Sequence, residues 1–580
     1  MDSNVHASCR RGVFLALIGL TTAIFAAETP DLIFTNGRIV TVDAAFNIHD
    51  AMSVKAGMIQ ETGTGLEVMR LRGKGTRVMD LGGATVLPGL IDSHVHPRGA
   101  LHEFDHEIPS MESISDVLGY IRSRAAVVPA GDWILLHQVF ITRLRERRYP
   151  TRAELDSAAP NHPVRFSTGP DMMLNSAALR LAGIDRHYRL PDGNRGFVEV
   201  DPKTGEPSGL LRSVGGIVKV KSSTRSPNEA ERYEWTLRLL RDYAKVGLTT
   251  VADKGANAGS IALYEKMLEA GDLPVRMRLS HTLGGTTSIE SLRKNVAAIR
   301  DHPRTRPNPW LQIIGTKIWL DGGMLTGSAY LREPWGVSDI YGITDPDYRG
   351  VLNVPREQLL PMVREVVKAG LQFTAHVVGD GAVHTLLDVY EEVDKETPVR
   401  GTRPGFTHSN FMSEDSVKRA ARLGAVHDIQ PAWLYLDAAT LQKQFGYDRL
   451  KWFQPLKSIF EAGGTAGGGS DHMQKIGSFR AVNPYNPFLG MWVTLKREPR
   501  WYEGALHPEQ CLSREQAIRF YTINNARVLR FEDQIGSLEA GKRADFIVLD
   551  RDILSIPAAE VREIRVLQTW VDGRRIQPGK

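Results

Sequence analysis

Side chains of metal-ligand type close a series of short apolar runs along this 580-residue chain. The first run, GATVLPGLIDSHVH, ends in the His-X-His pair His94 and His96. Side chains two residues apart in an extended strand share a face, so both imidazoles can reach one ion. Ligands that close successive strands converge only if the strands form a ring, which predicts an α/β fold of the (β/α)8 or TIM-barrel type. The later runs LQIIGTKIWLDGG, LQFTAH, PGFTH and TAGGGSD contribute Lys317, His376, His408 and Asp471.

Nine segments are candidates for strands, one more than an eight-stranded barrel needs. Residues 100–230 are rich in turns and contain PDGNRG and DPKTGEPSG, so we assign segment 163–168 to an inserted cap. Lys317, His376, His408 and Asp471 then close barrel strands four, five, six and eight. Amphipathic segments that end at Gly, such as REQLLPMVREVVKAG and EDSVKRAARLG, separate the strands as barrel helices do. The nine segments are 89–96, 163–168, 248–253, 274–281, 311–321, 371–376, 404–409, 424–430 and 464–471.

Both ends of the chain contain short β elements outside the predicted barrel. The N-terminal part contains DLIFTNGRIVTVD and AMSVKAGMIQETG, and the C-terminal part contains ADFIVLD and RVLQTWVDGRRI. We expect residues 28–88 and 531–580 to pair into one composite β-sandwich beside a barrel of residues 89–530. Two separate β appendages are the alternative. The cap is expected at about residues 100–230.

Residues 1–27 have the layout of a signal peptide. Arg10 and Arg11 precede the apolar run VFLALIGLTTAIFAA, and polar sequence follows from Glu28. The run is short for a membrane span, and RRGVF also resembles a relaxed twin-arginine signal. The sequence therefore predicts export to the periplasm or the extracellular space, with no stable membrane span in the mature chain. An uncleaved anchor is the alternative.

The composition excludes several other classes of protein. The 72 basic and 67 acidic residues leave a net charge of only +5, and no dense Lys/Arg run indicates a nucleic-acid partner. Cys9 lies in the predicted signal, so the mature chain keeps Cys511 alone and can form neither an internal disulfide nor a cysteine metal cluster. A metal site must therefore use His, carboxylate and Lys side chains.

These side chains suit the hydrolysis of an amide. A divalent ion polarises the carbonyl and lowers the pKa of its water from about 16 to about 7. Imidazole suits Zn²⁺, and two ions can lie about 3.5–4 Å apart if a ligand bridges them. Carbamylation by CO₂ would make Lys317 a bridging carboxylate, whereas a Lys317 that only forms a salt bridge would leave a mononuclear site. Asp471 can take a proton from the attacking water and pass it to the leaving nitrogen.

Other interpretations of the same residues stay open. His376 and His408 could be core histidines with satisfied hydrogen bonds, and Asp471 could be a helix N-cap. Residues that follow or end the strands are candidates for contact with a small-molecule amide substrate, although the aromatic ones could instead pack under loops. The candidates are Trp319, Asp321, Asp380, Gln430 and Trp433.

Segments spread over roughly residues 30–578 together resemble the amidohydrolase superfamily, and within it amidohydrolase family 3 with its N-substituted formamide deformylase-like branch. The resemblance implies one metal on His94, His96 and Asp471, a second on His376 and His408, and a carbamylated Lys317 between them. The segments include LPGLIDSHVHP, TRAELDSAAPNHPV, LNSAALRLAGI, GLTTVADKG, TKIWLDGG, FTAHVVGDGAV, YTINNAR and IGSLEAGKRADFIVLD.

The resemblance further implies a hydrolase, with two divalent ions of zinc type, that cleaves a C–N amide bond other than a peptide bond in a small N-acyl or N-formyl compound. One alternative is a mononuclear, deaminase-like or other hydrolase on the same barrel. Another is a non-catalytic exported binding or regulatory protein. A homo-oligomer is possible in each case.

The sequence departs from the family pattern at two places in the predicted cap. Relatives often carry a His shortly before the Asn-Ser pair, where this chain has Pro170 and Asp171. Relatives also often carry a Glu after the EPSG-type turn, where this chain has Arg212 and Ser213. Both departures lie away from the predicted metal ligands, so they affect the substrate that the resemblance implies more than the metal site.

Overall fold

The computed structural model describes residues 28–577 except residues 170, 195, 222–224 and 285–287. The predicted signal peptide, residues 1–27, lies outside the described residues, so export stays a prediction. Within the described part of the chain, every helix is too short or too polar to cross a membrane.

Eight parallel strands form the central sheet, and each pairs with the next one along the chain. The ring closes at the carboxyl ends, where the backbone N–H of Asp471 donates to His94 O at 2.8 Å and that of His96 donates to His472 O at 2.7 Å. The predicted (β/α)8 barrel is therefore confirmed. Barrel strands 1 to 8 are Leu90–Val95, Leu248–Ala256, Arg276–Thr282, Leu311–Trp319, Gln372–Val377, Gly405–His408, Val426–Ile429 and Thr465–Gly468.

Helices connect the barrel strands, and glycine ends several of them as the sequence predicts. Gly424, in the left-handed region at φ 66°, donates its N–H to the last carbonyls of the helix Glu414–Leu423. The other helices around the barrel are Glu229–Lys245, Ala258–Ala270, Ile289–Arg300, Arg356–Lys368, Asp380–Asp394, Pro431–Phe445, Leu456–Glu461, Pro487–Lys496, Arg514–Tyr521 and Ile523–Val528.

An inserted cap lies between barrel strands 1 and 2. The strand Val164–Ser167 pairs with Ile134–Leu136 and Met172–Leu174, so the segment that we excluded from the barrel belongs to a separate sheet. Pro207–Arg212 and Phe197–Val200 complete this five-stranded sheet. The cap helices are Ile114–Ala125, Arg152–Ala158 and Ser176–Ala182.

Both chain ends build one composite β-sandwich, as expected. Phe546–Leu549 runs antiparallel to Thr85–Pro88, and the Phe546 and Trp570 rings stack 5.4 Å apart in the core between the two sheets. The alternative of two separate appendages is therefore wrong. One sheet contains Met58–Gly63, Ala51–Lys55, Leu32–Thr35 and Arg77–Asp80, and the other contains Arg574–Arg575, Val566–Val571, Phe546–Leu549, Thr85–Pro88, Arg38–Val40 and Ile48–His49. The short helix Gly65–Met69 also lies in this part.

Candidate metal centre

One cavity of about 930 Å³ opens at the carboxyl ends of the barrel strands. The ends of parallel barrel strands meet at one face, so ligands that are distant in sequence become neighbours there. All the predicted ligands line this cavity, namely His94, His96, Lys317, His376, His408 and Asp471.

His94, His96 and Asp471 form the tightest group of ligand atoms. The Asp471 Oδ1 lies 3.3 Å from His94 Nε2 and 3.2 Å from His96 Nε2, and the two Nε2 atoms are 3.1 Å apart. Two imidazoles and a carboxylate at this spacing are a donor set that Zn²⁺ prefers. These three residues therefore fit one divalent ion.

His376 and His408 form a second group beside the first. Their ring centroids lie 4.5 Å apart, and the His408 ring lies 5.0 Å from the His94 ring. The Nδ1–H of His408 donates to Gln430 Oε1 at 2.7 Å, which leaves the Nε2 lone pair available to a metal. The two imidazoles therefore lie beside the first group, where the sequence predicts a second ion, and His376 Nε2 is 3.2 Å from Gly322 O.

Two of the predicted ligands have backbone conformations that non-glycine residues rarely adopt. His408, the last residue of barrel strand 6, has φ 79°, and Asp471, three residues after barrel strand 8, has φ 52°. The backbone O of Asp471 accepts a hydrogen bond from Asn483 Nδ2 at 2.6 Å, which holds the turn in place. Strained backbone of this kind concentrates at functional sites, where it directs a side chain into the cavity.

Burial keeps three histidines of the site in the form that binds a metal. Burial lowers the pKa of His376 to about 3 and lowers the pKa values of His94 and His408 well below the usual value for histidine. Nearby cationic groups lower these pKa values further. These three imidazoles are therefore neutral at pH 7, and neutral imidazole is the metal-binding form.

Lys317 lies fully buried near the end of barrel strand 4. Burial lowers the pKa of its amine from 10.5 to about 8, although the neighbouring Asp428 opposes the shift. The lower pKa increases the fraction of uncharged amine, which is the form that reacts with CO₂. The environment of Lys317 is thus compatible with carbamylation.

Asp428 is a residue of the candidate site that the sequence analysis missed. Its Oδ1 accepts a hydrogen bond from His94 Nδ1 at 2.8 Å, its Oδ2 accepts one from Thr407 Oγ1 at 2.9 Å, and Lys254 Nζ lies 3.7 Å away. Because a carboxylate can only accept, His94 must carry its proton on Nδ1 and present the Nε2 lone pair to the metal site. A charged residue within the buried strand Val426–Ile429 was the signal that could have revealed it, since a buried charge needs a partner.

The predicted substrate-contact residues separate into two groups. Trp319 and Trp433 line the cavity, with Trp319 still 42% exposed and the Trp433 ring stacked 4.8 Å from the His408 ring. Asp321 also borders the cavity, but its carboxylate is occupied by backbone N–H groups at 2.9–3.0 Å, so it anchors loops. Those donors belong to Tyr330, Val378 and Gly379.

Asp380 and Gln430 lie outside the cavity lining in the described part of the chain. Asp380 begins the helix Asp380–Asp394 and accepts a hydrogen bond from the Arg332 N–H at 3.0 Å. Gln430 is fully buried, and its carboxamide contacts both His408 and Asp428. We therefore reassign Gln430 from substrate contact to the orientation of His408.

A (β/α)8 barrel with four imidazoles, a carboxylate and a buried lysine at its carboxyl face defines a metal-dependent hydrolase. The chain belongs to the amidohydrolase family, whose family model matches residues 77–577. It is 30% identical to N-substituted formamide deformylase of Arthrobacter pascens over 94% of this chain and 97% of that protein. It is also 26% identical to the putative amidohydrolase YtcJ of Bacillus subtilis over 93% of this chain and 98% of that protein.

The fold has counterparts among solved structures. An uncharacterized metal-dependent hydrolase from Pyrococcus horikoshii superposes with a TM-score of 0.64, covering 91% of this chain and 99% of that chain. The sequence identity of 22% limits this likeness to the fold.

Proposed function

We propose that this protein hydrolyses a C–N amide bond, other than a peptide bond, in a small N-acyl or N-formyl compound. The observation that carries the proposal is the position of Asp471 Oδ1, which lies within 3.3 Å of both His94 Nε2 and His96 Nε2 at the cavity wall. A carboxylate beside the candidate ligand atoms supports the proposal, because it can accept a proton there. The 30% identity to a formamide deformylase supports the N-formyl class.

The residues of the site fit two divalent ions of zinc type. His94, His96 and Asp471 would hold one ion, His376 and His408 the other, and a carbamylated Lys317 would contact both. Such ions, when bound, polarise a carbonyl and lower the pKa of a water molecule.

The chain's own side chains account for the proton transfer and for the rigidity of the site. Asp471 accepts a proton from the attacking water and returns it to the leaving nitrogen, which becomes an amine. Asp428 keeps the His94 ring in one tautomer and one orientation, and Gln430 does the same for His408. The proposed reaction therefore needs little movement of the side chains that line the cavity.

The cavity suits a small molecule with an apolar substituent. Its volume of about 930 Å³ lies within the range of small-molecule sites. Much of the wall around the polar centre is apolar, and this part includes Leu101, Phe140, Met324, Leu325 and Trp433.

The test measures turnover of N-substituted formamides, dipeptides and aminopurines by zinc-reconstituted enzyme. We expect N-substituted formamides to yield formate and amine, while dipeptides and aminopurines remain largely unchanged. Metal-stripped enzyme and the His94→Ala variant serve as inactive controls. Release of ammonia from aminopurines with no amide cleavage would favour the deaminase-like alternative, and no turnover with full metal loading would favour a non-catalytic protein.

A mononuclear site is the second candidate, and one observation favours it. Among the described residues, His94, His96 and Asp471 form the group of His, Cys, Asp and Glu side chains whose ligand atoms are close enough to hold an ion without any modified residue. Elemental analysis distinguishes the two, because the binuclear site requires close to two ions per chain.

A further inference from the structure

Two arginines in the wall of the catalytic cavity have no role in the proposed metal centre. Arg98 and Arg232 both line the cavity, and both side chains are exposed to solvent there. Among the described residues, neither guanidinium lies within 4.0 Å of a carboxylate oxygen. The Nε–H of Arg232 donates to Pro227 O at 3.1 Å, which leaves its two terminal NH₂ groups available to a ligand.

The carboxylates that line the same cavity are engaged elsewhere. Asp253 accepts from Tyr264 Oη and from a backbone N–H, both at 2.9 Å, and it is buried. Burial raises the pKa of Asp253, and Arg98 opposes this shift from beyond ion-pair distance. Asp321 accepts backbone N–H groups, and Asp471 belongs to the predicted metal centre. The positive charge of the two arginines is therefore not matched by an ion-pair partner in the described part of the wall.

The two arginines lie on elements that pack against each other at the cavity. Arg98 belongs to the short 3₁₀ helix Pro97–Glu103, which directly follows the ligand His96. Arg232 lies near the start of the helix Glu229–Lys245, at the end of that helix which faces the carboxyl ends of the barrel strands. A single molecule bound in the cavity can therefore contact both guanidinium groups.

The acidic neighbours of Arg232 on its own helix do not neutralise it. Glu229 pairs with Lys266 at 2.7 Å, and Glu231 pairs with Arg225 at 2.9 Å. A cleft lined by one sign of charge concentrates ligands of the opposite sign, and a guanidinium group matches the two oxygens of a carboxylate. The charge of this wall thus favours an anionic ligand.

We propose that Arg98 and Arg232 bind a carboxylate of the substrate, so that the amides hydrolysed by this protein carry an anionic group on their substituent. The inference rests on the proposed amide hydrolysis and restricts its substrates from amides in general to anionic amides. The arginines act on specificity, and the proton transfer at Asp471 is unchanged.

The test compares N-formylphenylalanine with N-(2-phenylethyl)formamide, which differ in the carboxylate. In the zinc-reconstituted wild-type enzyme we expect kcat/KM to favour the anionic amide about 10- to 100-fold. The preference should shrink as NaCl is raised from about 0.05 to about 0.5 M, because salt screens the attraction. Equal values for the two amides, or a preference for the neutral one, would overturn the inference.

Arg98→Gln and Arg232→Gln each remove one positive charge and keep a polar side chain. Each should reduce the preference about 10-fold, mainly by raising KM for the anionic amide, and Arg232→Lys should keep more of it than Arg232→Gln. Arg238→Gln is the matched control, because Arg238 is exposed on the same helix but lies outside the described cavity lining. An unchanged preference in both cavity variants would assign the carboxylate to the metal centre and overturn the inference.

Binding measurements separate this inference from the proposed reaction. Calorimetric titration with N-methoxycarbonylphenylalanine and methyl N-(2-phenylethyl)carbamate needs no formamide cleavage. Wild-type protein should bind the anionic carbamate at least about 10-fold more tightly, and the double variant Arg98→Gln/Arg232→Gln should abolish the difference. Metal content and circular dichroism verify that each variant is loaded and folded. Equal affinities in the wild type, or no binding of either carbamate, would overturn the inference. A preference that depends on the arginines without any amide turnover would reject the proposed reaction alone.

Discussion

His94 lies between two carboxylates, and this position determines which of its nitrogens can bind an ion. Asp428 accepts from Nδ1 at 2.8 Å, and Asp471 lies 3.3 Å from Nε2. The pKa of His94 is far below its usual value because the ring is buried, so the proton shared with Asp428 does not make the imidazole cationic. Single side chains of this kind set the chemistry of the site.

At the residue scale, the first prediction concerns Lys317. Lys317→Ala should lose activity and at least one metal ion, because alanine cannot form a bridging carbamate. Added short carboxylic acids should restore part of both by filling the gap. Lys475→Met is the matched control, since Lys475 is also buried but donates to Pro109 O at 3.0 Å and lies outside the predicted ligand set, so this variant should keep two ions. Two ions and normal turnover in Lys317→Ala would show that no bridge exists.

The second prediction concerns Asp471. Asp471→Asn keeps an oxygen that can contact a metal but cannot accept a proton. We expect metal content to remain near that of the wild type while kcat falls about 10²- to 10⁴-fold, the usual contribution of general acid–base catalysis. Elemental analysis and steady-state kinetics measure the two quantities. A parallel loss of metal and activity would assign Asp471 the role of a ligand without that of a proton carrier.

At the scale of elements, a buried ion pair joins the cap to the loop after barrel strand 4. Arg212 and Asp171 are both fully buried and lie 3.4 Å apart. Arg212 Nη1 also donates to Thr326 O at 2.8 Å, and Thr326 lines the cavity. Asp171 and Arg212, the positions at which the sequence analysis expects departures from the family pattern, are therefore in contact, and their charges compensate each other.

The third prediction tests this pair. Arg212→Met leaves Asp171 buried without its cation and should lower the free energy of unfolding by about 3–5 kcal/mol. KM should rise more than kcat falls, because the loop at Thr326 forms the wall and not the metal centre. The double variant Asp171→Asn/Arg212→Met should recover part of the lost stability in urea denaturation. If the losses of the two single variants simply add, the pair is not coupled.

At the scale of the whole molecule, a second buried arginine joins the barrel to the sandwich. Arg276, on barrel strand 3, donates to Asp545 at 2.6 and 2.8 Å and also reaches Asp572. Burial alone would raise the pKa of Asp572, but Arg276 and Arg543 outweigh it and hold that pKa below 3.8. The stabilising contribution of this carboxylate is therefore present above pH 3.8 and is lost as the pH falls through its lower value in the folded protein.

The fourth prediction follows from the lowered pKa of Asp572 in the folded protein. Arg276→Met should lower the free energy of unfolding at pH 7 by about 3–5 kcal/mol, because Asp545 is left buried without its main partner. The difference from the wild type should shrink as the pH falls below about 4, where Asp572 becomes protonated in the unfolded chain. Arg300→Met, in the exposed pair with Asp301, is the control and should not change stability measurably. A difference that is independent of pH would contradict the role of Asp572.

The barrel, the composite sandwich, the cap and the family could all be predicted from the sequence alone. Strand periodicity and glycine at helix ends are local properties of the sequence, so they can be recognised without knowledge of distant contacts. The spacing of His94 and His96 likewise belongs to one strand. The convergence of Lys317, His376, His408 and Asp471 on one cavity followed from a topological rule, because the carboxyl ends of barrel strands meet at one face.

The tertiary structure alone decided which groups complete the site. Asp428 hydrogen-bonds His94 across 334 residues of sequence, and no local pattern records such a pair. Gln430 is buried beside His408 and does not line the cavity among the described residues. Hydrogen-bond partners and burial depend on distances between segments that are remote in the chain, and the folded arrangement sets those distances.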